Sequence, residues 1–87
     1  MITKTININS MDKIETFVDI INKFNGRFDL VSGCSIVNAK SIMAIFSLDI
    51  SRPVYLYIYN EESAEYVTKA LAEFEVNALQ IQEQLLA

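Results

Sequence analysis

The sequence has no histidine, a single cysteine and a deficit of positive charge, with seven Lys and Arg against eleven Asp and Glu. Without histidine there is no imidazole general base and no Ser-His-Asp triad. With only Cys34 as a soft ligand there is no Cys/His zinc site either, so neither a metal nor a cofactor is expected. Cys34 has no internal disulfide partner, in keeping with a reducing compartment. The nearest basic residues in sequence, Lys40 and Arg27, both lie more than five positions away, so nothing local marks the thiol as activated, and it reads as incidental. The formal charge of −4 disfavours electrostatic capture of DNA, RNA or an anionic membrane, which need a basic face, so proteins or small ligands are the partners expected. No apolar run approaches the roughly 18 residues of a membrane span. The opening MITKTININS lacks the apolar centre of a signal peptide, so a cytoplasmic location is expected.

What is present is a short apolar-rich chain. Its 87 residues, 52% of them hydrophobic, suit one domain over residues 1–87 with one modest core. No linker, repeat or low-complexity segment divides it. Ile2 to Ile8 alternates Ile2, Lys4, Ile6 and Ile8 against Thr3, Thr5 and Asn7, the spacing of a strand. Asn9 and Ser10 offer helix caps. Met11, Ile14, Val18 and Ile21, with Phe17 and Phe24 beside them, then form a helical stripe that Gly26 ends. Phe28 to Ala39 holds two short alternating runs around Ser32-Gly33, a hairpin in which glycine supplies positive φ. Ser41 to Leu48 reads as a short helix capped by Ser41, Pro53 interrupts the chain, and VYLYIY is the clearest strand. The final helix is predicted from Glu61 to about Gln84, with two carboxylates at its positive end and a stripe at Val67, Leu71, Phe74, Ala78, Ile81 and Leu85. The economical packing of strand, helix, strand, strand, helix, strand, helix is an α+β open-faced sandwich. Its four-stranded, mainly antiparallel sheet carries three helices on one face.

This order of elements, together with AKSIMAIFSLDI, resembles HPr, the histidine-containing phosphocarrier of the bacterial phosphoenolpyruvate:sugar phosphotransferase system. The resemblance covers nearly the whole chain. Lys40, Ser41, Ile42 and Met43 match the family's Lys-Ser-Ile-Met-Gly at the second helix, with Ala44 in place of the glycine, and Ser47-Leu48 matches the Ser-Leu that follows. The family carries its phosphoryl group on a histidine within Gly-x-His-Ala-Arg-Pro-Ala, where a helix N-terminus and an arginine hold the anion. Here NINSMDKIETF occupies that region, and Ser10 and Asp12 stand where the resemblance places the histidine and the arginine. An acyl phosphate on Asp12 would lack both a metal-binding carboxylate cluster and a basic neighbour, so Asp12 reads as a solvated first-turn carboxylate and Ser10 as a cap. A phosphohistidine relay is therefore not expected of this chain, nor is enzymatic activity.

A second family site is implied at Ser41, which matches the serine phosphorylated by HPr kinase/phosphorylase and read by a catabolite-control regulator. Phosphate at a helix N-terminus meets unpaired N–H groups and needs no rearrangement. The plain alternative is a cap and nothing more. The resemblance also implies a hydrophobic docking patch for enzyme I and the sugar-specific subunits, formed here by Ile42, Met43, Phe46 and Ile50. Ile45 and Leu48 are expected inward, with Ile42, Met43 and Phe46 divided between core and surface.

Tyr55, Tyr57 and Tyr59 alternate with Val54, Leu56 and Ile58, which sets the three tyrosines on the open face of the sheet. Aromatic sheet faces stack RNA bases in some domains, but no basic residues are interleaved here and no nucleic-acid partner is expected. The face instead suits ordinary strand propensity or a homo-oligomeric contact. The terminal stripe running to Leu85 is a second candidate contact with another chain.

Overall fold

The computed structural model describes residues 1–76. Within them the chain forms β1 (Ile2–Ile6), α1 (Met11–Ile21), β2 (Phe28–Ser32), β3 (Ser35–Asn38), α2 (Ile42–Ile45), β4 (Val54–Ile58) and α3 (Glu61–Ala70), followed by a 3-10 turn at Ala72–Phe74. The four strands make one sheet in the order β1-β4-β2-β3, and each neighbouring pair is antiparallel. This is the α+β open-faced sandwich expected from the pattern of elements.

The register explains why one face is covered. Ile2, Lys4 and Ile6 stand opposite Ile58, Leu56 and Val54, and Phe28 and Leu30 lie opposite Ile58 and Leu56 on the other side of β4. Period-two alternation therefore gathers the aliphatic groups of three strands on one side. There they pack against Ile14, Phe17, Val18 and Ile21 of α1, Ile45 of α2, and Ala64 and Val67 of α3. Phe17 and Phe74 meet edge to face, with ring centroids 6.2 Å apart. Lys4 is the one polar residue in this inner row. It reaches the rim, where its ammonium lies 3.7 Å from the Glu75 carboxylate.

The β2–β3 hairpin turns through Gly33 and Cys34, with Ser32 paired to Ser35 and Gly33 at φ 59°. Other expectations shift at their ends. β1 stops at Ile6, where the Asn7 N–H on its outer edge bonds the Phe74 carbonyl at 2.8 Å, and Ile8 beyond it is fully buried. Helix α1 ends at Ile21 rather than Gly26, since the Asn22 side-chain amide takes the Val18 carbonyl at 2.9 Å. Met11, expected on the buried stripe, is exposed: it is the first residue of the helix and lies past the end of the core.

The largest correction concerns the last helix. It ends at Ala70, with Leu71 already off helical geometry at φ −103° and ψ 14°. Phe74 then turns into the core, Glu75 bridges Ile6 in antiparallel sense, and the Val76 N–H bonds the Thr5 carbonyl at 2.8 Å. Val67, Leu71 and Phe74 of the predicted stripe are buried. Ala78, Ile81 and Leu85 lie outside the described residues.

Candidate docking site around helix α2

The chain leaves β3 through a tight turn that fixes where α2 begins. The Lys40 N–H bonds the Asn38 side-chain oxygen at 2.9 Å and the Ser41 N–H bonds the Asn38 carbonyl at 3.1 Å. Lys40 then reaches back across the fold. Its Nζ donates to the Phe24 carbonyl at 2.6 Å and lies 5.5 Å from the centre of the Phe28 ring. Ser41 is extended, at φ −99° and ψ 104°, and its Oγ accepts from the Ala44 N–H at 3.3 Å, an N-cap of the kind that contributes about 1 kcal/mol.

A helix of four residues cannot bury all its sides. Ile45 is fully buried and Leu48 nearly so, while Ile42 and Ile50 are half-buried against the core edge. Met43 and Phe46 turn outward, 76% and 43% exposed. Three residues apart on one helical surface, they form an apolar projection over an anchored base.

At the head of α1, Ser10 Oγ accepts from the Lys13 N–H at 3.2 Å, and the Asp12 carbonyl accepts from the Thr16 hydroxyl at 3.0 Å. Asp12 itself is exposed and lines a shallow open recess with Lys13, Thr16, Glu73 and Phe74. The described residues contain no group of three or more His, Cys, Asp and Glu that could hold a metal. No helix among them is long and apolar enough to cross a membrane. α1 and α2 lie against each other on the helical side of the sheet, whereas the tyrosines stand on the other side.

On that open face Tyr55 and Tyr59 are exposed and Tyr57 is half-buried between Thr3 and Asp29. Asp29 is the feature that sequence reading passed over. It is only 5% exposed, and one carboxylate oxygen accepts both from the Tyr59 hydroxyl at 3.0 Å and from the Arg27 guanidinium at 3.1 Å. Arg27 also lies 4.8 Å from the centre of the Tyr59 ring. The Arg-x-Asp spacing at the start of β2 places both side chains on one face, the available signal. Tyr59 joins them only through the β2–β4 pairing.

Partial burial, then the hydrogen bond to the Asp29 carboxylate and its charge, push the Tyr59 phenol above its ordinary value of 10.0. The contribution of this phenol to stability is thus complete below the unfolded value and lost as pH rises through the folded one. Asp29→Asn should lower the Tyr59 midpoint part of the way back toward 10.0, followed by ultraviolet absorbance in an alkaline titration. An unchanged tyrosine titration would show that the carboxylate does not hold the phenol.

No protein-family model matches the sequence, and no curated protein matches it. Solved structures do. The phosphocarrier protein HPr from Bacillus anthracis str. Ames has a similar fold, at 24% identity over 80% of this chain and 95% of that one, with a TM-score of 0.61. HPr-C-His from Thermoanaerobacter tengcongensis is similar with a TM-score of 0.72 and 31% identity, over 84% of this chain and 89% of that one. Likeness of sequence as well as backbone over that much of both chains, joined to the strand order and the capped α2, places this chain in the HPr family.

Proposed function

We propose that this HPr-family chain is a protein-binding module of the phosphotransferase type that docks partners through α2 without carrying phosphate on histidine. Its 87 residues contain no histidine to accept the group, and the residues at the head of α1 are a capping serine and a solvated aspartate. The observation that carries the reading is the outward pair Met43 and Phe46 on a helix already anchored by Ile45. Exposed apolar groups that contribute little to the core, gathered on one small surface, are suited to partner burial. Enzyme I and the sugar-specific subunits are the partners proposed, and the chain acts as their ligand rather than as a catalyst.

The test is capture on immobilised, purified enzyme I. Wild-type protein should be retained, and Met43→Asp should weaken retention about tenfold or more, because a charge would have to be desolvated at the contact. Equal retention of the two would remove α2 as the docking element. Thermal unfolding of the variant should match wild type, since the side chain is exposed.

A second reading is favoured by the cap at Ser41: phosphorylation there by an HPr kinase, read by a catabolite-control regulator. The hydroxyl already sits beside the Ala44 N–H, so a phosphate at Ser41 would meet backbone donors. Incubation with HPr kinase and ATP should add one phosphate by intact mass to wild-type protein and none to Ser41→Ala. An unmodified wild-type mass would eliminate the switch and leave Ser41 as a cap.

A further inference from the structure

We propose that Met43 is an oxidisable site, at which conversion of its thioether to the sulfoxide by a hydroperoxide weakens partner docking while leaving the fold intact; the effect on docking rests on the α2 reading above. Methionine is ordinarily a filler of cores. Here all three methionines lie outside the core, with Met1 at 60%, Met11 at 61% and Met43 at 76% exposure. Met43 is the most exposed of them and the one beside Phe46 on α2.

The anchoring of α2 makes the site separable from stability. The helix is held by the Ser41 cap, by the burial of Ile45 and by the Lys40 bond to the Phe24 carbonyl, and none of these uses the Met43 side chain. A change at its sulfur therefore alters the outer surface alone. In the reaction the thioether sulfur attacks one peroxide oxygen. An S–O bond forms as the O–O bond breaks, and the proton of the transferred oxygen passes to the other oxygen, which leaves as water, or as an alcohol from an organic hydroperoxide. Sulfur loses an electron pair and the peroxide gains it. The product is polar where docking needs an apolar group, and sulfoxide reductases can reverse it.

Cys34 is also exposed and would consume oxidant, so the measurement belongs in a Cys34→Ser background. Protein is treated with hydrogen peroxide, peptide mass locates the added oxygen, and binding to immobilised enzyme I is compared before and after. The expected result is oxygen on Met43, binding weakened about tenfold or more, an unchanged unfolding temperature, and recovery after methionine sulfoxide reductase. Met43→Leu, compared only with its own untreated form, should show no loss of binding on treatment, and Met43→Gln should bind weakly without treatment. The proposal is overturned if oxidised Met43 binds as tightly as the reduced form, or if Met43→Leu loses binding to peroxide as wild type does. Failure of the untreated protein to bind enzyme I instead removes the docking reading, and the proposed control of it falls too.

Discussion

Phe17→Ala should lower the unfolding free energy by about 3–5 kcal/mol, measured by urea denaturation. Phe17 is completely buried, and its ring meets Phe74 edge to face at the point where the chain turns back from α3 toward β1. Deleting the ring removes its own apolar burial and leaves Phe74 facing a cavity that α1 cannot close without leaving the sheet. A domain of this size has a total stability of about 5–15 kcal/mol, so the variant sits near the edge of folding. Met11→Ala is the internal control: it lies on the same helix and is exposed, so its cost should stay within about 0.5 kcal/mol. A Phe17→Ala cost below about 1 kcal/mol would show that this aromatic contact does not organise the core.

Gly26→Ala should cost about 2 kcal/mol or more, whereas Gly33→Ala should cost about 1 kcal/mol. Both glycines have positive φ, but they differ in what surrounds them. At Gly26, φ is +111°, a conformation L-residues rarely adopt, and an added Cβ would lie 3.3 Å from the Asn60 Cβ. Asn60 caps α3 through the Glu62 N–H at 3.0 Å, so the new methyl group disturbs both the β2 approach and the start of the last helix. At Gly33, φ is +59°, within the ordinary left-handed region, and a Cβ would meet nothing within 4 Å. Paired denaturant curves check the ordering. Equal costs would mean that neither the less accessible φ of Gly26 nor its contact with Asn60 adds to the penalty.

The start of the short helix at Ser41 is legible from the sequence because a capping serine is a local signal, but the helix closes at Ile45 rather than running to Leu48. The stop after α1 was less so. Gly26 looked like the terminus, yet Asn22 ends the helix first with its own amide, a side-chain choice the apolar periodicity does not encode. The expected division of Ile42, Met43 and Phe46 also needed three dimensions. Periodicity over four residues cannot orient a helix, and the burial of Ile45 and Leu48 beside α1 sets which side faces out. Asp29 went unread for a related reason. A lone aspartate in a strand looks solvated until β4 pairs with β2 and delivers the Tyr59 hydroxyl.

By itself the sequence determined the order of elements, the inward aliphatic row of VYLYIY, the hairpin at Gly33 and the absence of any imidazole to carry phosphate. These follow from periodicity, backbone freedom and composition, which act over a few residues or over none. Tertiary structure decided where the last helix ends. The periodicity through Val67, Leu71 and Phe74 would continue a helix, but the outer edge of β1 offers the Thr5 carbonyl and the Asn7 N–H to whatever chain lies beside it. Pairing those groups with Val76 and Phe74 satisfies polar backbone that would otherwise stand at an open sheet edge, a gain no local pattern can register.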